Sequence, residues 1–93
     1  MMHRLVFRVH AIERMFERRI TEEDVREVVG KGETIEHYPE DSPYPSRLIL
    51  GWQGSRPIHV VVADQKEENE LIVITVYEPD PALWQPDFRR RKP

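Results

Sequence analysis

Seven side chains in this sequence have the types and spacing to do chemistry: His10, Arg14, Arg18, Arg47, His59, Thr75 and Tyr77. Histidine takes and gives protons near neutral pH, so His10 and His59 are the acid/base candidates. His10 stands one helical turn before Arg14, and Arg18 falls on the same polar side of that stretch. His59 sits inside the run Pro57-Ile-His-Val-Val-Val-Ala63, and Tyr77 closes the run Leu71-Ile-Val-Ile-Thr-Val-Tyr77. Both runs are rich in β-branched residues and flank a polar connector, residues 64–70, which reads as a β-hairpin. Alternate residues of a strand share a face. Pairing Ala63 with Leu71 sets His59 opposite Thr75, two positions from Tyr77, and gathers an imidazole, a hydroxyl and a phenol among aliphatic side chains.

Each of these residues also has a plain reading. An imidazole inside an aliphatic strand is costly unless satisfied, so His59 taken alone reads first as a histidine at the sheet margin bonded to Thr75 or Tyr77. His10 reads as a solvated residue opening a helix. Arg14, near Glu13 and Glu17, reads as part of a surface charge mesh, and Arg18 is equally ambiguous.

Other chemistries find less support. His10 and Glu13 lie three residues apart, and His59 would be a third ligand, but no metal motif of recognised spacing is present. Neither a metal nor a cofactor is expected. There is no cysteine, and Ser42, Ser46 and Ser55 lie in proline- or glycine-flanked loops rather than a nucleophile elbow. All four glycines are isolated, so no phosphate-cradling loop exists.

The elements that must position these groups can be read in order. Arg4–Val9 is too short to assign, an edge strand or a lead-in. Ala11, Ile12, Met15 and Phe16 recur at helical spacing and predict an amphipathic helix over about residues 9–19, docked by that stripe. Thr21 is a good N-cap with Asp24 three residues on, Ile20 and Val25 occupy hydrophobic-staple positions, and Glu22, Glu23 and Asp24 load the first turn. A second helix is expected over about 22–31, burying Val25, Val28 and Val29 and stopping at Gly30 and Gly32. Strands follow at 33–38 and 47–52, separated by a loop with three prolines, residues 39–45. The expected fold is α+β: two N-terminal helices packed on a four-stranded antiparallel sheet, in two layers. Residues 1–93 are expected to form a single domain, with 83–93 a loosely packed or frayed basic tail folding back as an extended segment or short turn.

Charge and composition narrow the classes. The net charge of −3 argues against a strong nucleic-acid binder. Its distribution qualifies this: residues 33–70 hold three Lys/Arg against eight Asp/Glu, whereas the last positive charges form the run Arg89-Arg90-Arg91-Lys92. The N-terminus does not read as a signal peptide, and no run approaches the roughly 18 apolar residues of a membrane span. A soluble, cytoplasmic protein is expected, with no membrane partner.

The run His10-Ala-Ile-Glu-Arg14-Met, continued by Glu17-Arg18-Arg19-Ile20-Thr21, together with His59-Val60-Val61 and Thr75-Val76-Tyr77-Glu78-Pro79, resembles a family of small bacterial proteins that is a domain of unknown function. The resemblance covers roughly residues 8–88; Arg19 stands where that family usually has glycine. The family in turn looks like a distant relative of the RelE/ParE-like and BrnT-like toxin fold. That resemblance implies a metal-independent endoribonuclease of a toxin–antitoxin module, with RNA or the ribosome as target and an antitoxin as partner. On this reading His59 and His10 are acid and base, Arg14 steadies the phosphate, Tyr77 orients or donates a proton, and Arg47, Thr75 and Arg18 contact substrate. The alternative is a non-catalytic interaction module that binds a partner protein through its sheet face or edge, with structural histidines. A homodimer through the edge strand 33–38 fits either.

Overall fold

The computed structural model describes residues 4–93. Its elements are β1 (Arg4–Phe7), α1 (Val9–Arg18), α2 (Glu22–Lys31), β2 (Glu33–Tyr38), β3 (Ser46–Gln53), β4 (Arg56–Gln65) and β5 (Glu70–Tyr77). The protein is α+β, as expected. The sheet, however, has five strands in the order β1-β5-β4-β3-β2 and is mixed rather than four-stranded and antiparallel. The added strand is β1, which pairs parallel with β5, Leu5 against Leu71 and Phe7 against Val73. A four-residue strand whose partner lies more than sixty residues away leaves no local spacing to read; the free edge of β5 recruits it.

Helix α2 forms as its sequence dictates. Thr21 Oγ1 accepts from the Asp24 N–H at 3.0 Å, and the Asp24 carboxylate accepts from the Thr21 N–H at 2.9 Å, a reciprocal capping box. Helix α1 has no side-chain N-cap and ends at Arg19, which adopts the left-handed conformation (φ 55°, ψ 45°) usually left to glycine. Arg56 closes that end: its guanidinium donates to the carbonyls of Arg18 and Arg19 and pairs with Glu78 at 3.1 Å. Gly32 and Gly51 let α2 rest directly on β3, since a Cβ on Gly51 would lie 2.7 Å from the Val28 side chain.

The core lies between the helices and one sheet face. Ala11, Met15, Ile20, Val25 and Val28 meet Ile49, Ile58, Val60, Val62, Leu71, Val73 and Val76. Two expectations are corrected here. First, α1 docks through Ala11 and Met15 alone; Ile12 is 51% and Phe16 88% exposed. Ala11 and Met15 share one helical face, whereas Ile12 and Phe16 lie about 100° round the helix from them. Second, the β4–β5 register is shifted. Asp64 pairs with Leu71, Ala63 with Ile72 and Val62 with Val73, and then Val61 pairs with Thr75, leaving Ile74 as the extra residue of a bulge. His59 therefore faces Tyr77, not Thr75. The bulge sends Leu71, Val73 and Val76 to the helices and turns Thr75 and Tyr77 to the face of His59.

That second face is covered by the chain after β5. Trp84, 3% exposed, is bridged to Arg91, and the Lys92 N–H bonds the Leu83 carbonyl at 2.8 Å, so the tail doubles back as a small hairpin. Phe88 meets Trp52 edge to face at 5.9 Å, and Arg89 pairs with Glu33 at 2.8 Å. No described helix is long and apolar enough to cross a membrane.

The two kinds of α1 position should separate cleanly in urea unfolding. Met15→Ala, at a buried position in contact with the sheet layer, is expected to cost about 2–4 kcal/mol. Phe16→Ala, at a solvated one, should stay within about 0.5 kcal/mol of wild type.

Candidate functional site

A groove of about 470 Å³ opens where the polar side of α1 meets the end of β5 and the tail. It unites five of the seven candidates: His10, Arg14 and Arg18 from α1, and Thr75 and Tyr77 from β5. Helical spacing aligns the first three along one side of α1, and the β5 bulge turns the last two toward them. The tail adds Trp84 and Arg91, and Glu78 and Asp80 supply negative charge at the rim. Both acids are engaged, Glu78 with Arg56 at 3.1 Å and Asp80 with the Ala82 N–H at 2.8 Å.

His59 lies behind the groove wall rather than in it, fully buried. Its Nε2 is 2.8 Å from the Phe88 carbonyl and its Nδ1 is 3.2 Å from the Tyr77 hydroxyl. A carbonyl only accepts, so the ring proton sits on Nε2, and the bare Nδ1 accepts from the phenol. Trp84 and Tyr77 pack edge to face on the imidazole at centroid distances of 4.6 and 5.2 Å. Among the described residues no buried side-chain polar atom lacks a partner.

Electrostatics keep this pair neutral. Burial pushes the His59 pKa below its ordinary value, against the opposing pull of the Phe88 carbonyl. Burial also raises the Tyr77 phenol, while the nearby Arg91 charge draws it back down. Farther along the same face, Tyr38 is raised to about 12 by burial and by donating its proton to Glu36 at 2.9 Å.

The cations of the groove differ in how free they are. Arg14 approaches Glu17 only at 3.9 Å, between exposed side chains, which is worth little. Arg18 and Arg91 have no carboxylate within ion-pair distance among the described residues. Arg47 stands apart from the groove. It lies on β3, bonded to Asp64 at 3.3 Å and to Thr34 Oγ1 at 3.0 Å. No three or more His, Asp and Glu side chains among the described residues come together as metal ligands.

Sequence reading passed over the tail's share of the site. Arg91 was one of four basic residues in a segment expected to be solvated. The available signal was Trp84 and Phe88, two large aromatics in an otherwise polar, proline-rich stretch, which argue for docking onto something apolar.

Taken together, these features define a small α+β protein with a cationic groove walled by a neutral tyrosine–histidine pair. Residues 7–78 match a family described as a domain of unknown function (DUF4258), and the chain belongs to that family. The match spans all seven candidate residues and stops before Trp84, Phe88 and Arg91. No curated protein and no solved structure matches the chain.

The buried imidazole makes stability pH-dependent. Its folded pKa is depressed below 6.5, so as pH falls below that value the unfolded chain takes up a proton the folded one refuses, and stability drops. Urea midpoints should therefore decline from about pH 6.5 downward before the carboxylates titrate. In His59→Gln that early decline should be absent, even though the variant is less stable at neutral pH.

Proposed function

We propose that the protein is a metal-independent endoribonuclease of the toxin type, acting in the cytoplasm. The observation that carries this reading is the convergence of His10, Arg14, Arg18 and Tyr77 on one groove. Cleavage by internal attack forms the bond from the 2′-oxygen to phosphorus and breaks the bond from phosphorus to the 5′-oxygen. His10, exposed on the first turn of α1, takes the 2′-hydroxyl proton. Arg14 and Arg18 hold the negative charge of the phosphorane. Tyr77, whose raised pKa keeps it protonated, turns its hydroxyl from His59 Nδ1 to the leaving 5′-oxygen and gives its proton there, and the Arg91 charge eases formation of the phenolate. The proton then returns from His10 to Tyr77 through solvent. His59 does not touch RNA in this scheme; it is a positioning residue that fixes the phenol. Thr75 is placed to bond a sugar or phosphate oxygen.

A second reading, the non-catalytic interaction module, is favoured by one observation of its own. Val9, Ile12 and Phe16 form an exposed apolar stripe along α1, with Val9 73% exposed, the kind of surface a partner chain covers. The sheet face opposite the helices is occupied by the tail, so a partner such as an antitoxin would meet α1 or a sheet edge. The β2 edge remains the surface for a homodimer.

End-labelled RNA incubated with the protein in EDTA should be cut to 2′,3′-cyclic phosphate ends. His10→Ala and Tyr77→Phe should each slow cleavage by about 10²–10⁴-fold. His10→Ala should melt as the wild type does, whereas Tyr77→Phe, which takes the donor from buried His59 Nδ1, should stay folded but lose about 1–3 kcal/mol of stability. Intact RNA after incubation with folded wild type, both free and on ribosomes, would leave the interaction module.

A further inference from the structure

The tail carries four consecutive basic residues, and the structure treats its three arginines differently. Arg89 is spent on Glu33 at 2.8 Å, and Arg90 on Asp87 at 3.1 Å. Arg91 points into the groove and has no carboxylate within ion-pair distance among the described residues. Its guanidinium instead lies over the Trp84 ring, 4.9 Å from the centroid. A guanidinium over an aromatic face is held by cation–π attraction, which leaves its N–H donors free to meet an oxyanion.

The support beneath Arg91 is built, not incidental. Trp84 is anchored edge to face against the buried His59 at 4.6 Å. The backbone bridge between Trp84 and Arg91 fixes the stack, with the Gln85 N–H donating to the Arg90 carbonyl at 2.8 Å. At the tip of this hairpin Phe88 adopts a left-handed φ of 56°, a conformation a bulky side chain avoids unless the surroundings impose it. The same residue's carbonyl satisfies His59 Nε2. The charge placed there is felt across the groove, where it opposes the burial-driven rise of the Tyr77 phenol.

We infer that Arg91, held over the Trp84 ring, is a phosphate-contacting residue of the groove, so that the tail beyond the family domain completes an RNA phosphodiester site. This rests on the ribonuclease reading of the groove and names the cation that faces α1 across it. The domain match ends at residue 78, so this wall of the site comes from outside the span that defines the family.

The test is binding, kept separate from cleavage by a short, fluorescein-labelled 2′-O-methyl oligoribonucleotide, whose blocked 2′-oxygens cannot attack. Anisotropy titrations of the full chain at several salt concentrations would compare wild type with Arg91→Ala, Arg91→Lys, Arg90→Ala and Arg14→Ala. Arg91→Ala is expected to weaken binding about tenfold and to make the log–log salt dependence shallower by about one. Arg91→Lys should keep the wild-type slope with a smaller loss of affinity. Arg90→Ala, a charge lost from the same tail outside the groove, should bind within about twofold of wild type, since a diffuse rim charge contributes little. Equal effects of Arg91→Ala and Arg90→Ala, or weaker binding by Arg91→Ala at an unchanged slope, would reduce Arg91 to a bulk or structural charge. Normal binding by Arg91→Ala beside weakened binding by Arg14→Ala would overturn this inference and leave the groove reading standing. An oligonucleotide that no form binds would overturn both.

Discussion

The structure turns on burying one imidazole. His59 lies among the aliphatic residues of β4 with no access to water, and a ring with two nitrogens needs both a donor and an acceptor there. The donor is Tyr77, within reach because the Ile74 bulge turns the end of β5 onto the face of His59. Without that extra residue, strict alternation would keep Tyr77 on the same face as Leu71 and Val73, toward the helices. The acceptor is the Phe88 carbonyl, which requires the chain to double back over the sheet. One buried side chain thus ties together the bulge, the tail and the groove wall, and it holds the phenol that faces the groove.

Where the sequence could be read, local rules dominated. The capping box and charged first turn of α2, and the existence of the β4–β5 hairpin, follow from residues a few positions apart. The misreadings all involve partners distant in sequence. β1 has meaning only beside β5, sixty-six residues on. Five residues of α1 are apolar and two of them are buried, Ala11 and Met15, and periodicity does not say which pair is docked. The placement of His59, Thr75 and Tyr77 on one face was legible, but for an incomplete reason: the register was shifted and the bulge restored the facing. Arg47 read as a site residue because it is a cation in a strand; its strand lies two positions from β5 in the sheet, and there it pairs with Asp64, seventeen positions on.

Net charge was the least informative quantity. The chain is negative overall, yet the groove gathers Arg14, Arg18 and Arg91 with His10 beside them, and its two acids are already engaged. What a ligand meets is the field of unpaired charges within about a Debye length, roughly 8–10 Å at physiological salt, not the sum over the molecule. Much of the acidic surplus lies between residues 33 and 70, and three of its members, Glu33, Asp64 and Glu70, are tied up with arginines away from the cationic rim.

The two functional readings share α1 rather than dividing the molecule. Its buried side, Ala11 and Met15, is fixed to the sheet; one flank carries His10, Arg14 and Arg18 into the groove, and the other presents Val9, Ile12 and Phe16 to solvent. Ten residues of helix are about 15 Å long, so a chain covering the apolar stripe necessarily stands beside the groove mouth. Because α1 is anchored by only two buried side chains and by Arg56 at its C-terminal end, a partner pressing on the stripe acts on the element that positions His10. Partner binding and the chemistry of the groove are then coupled through one short helix. On the ribonuclease reading, a protein docked there would govern cleavage without filling the site.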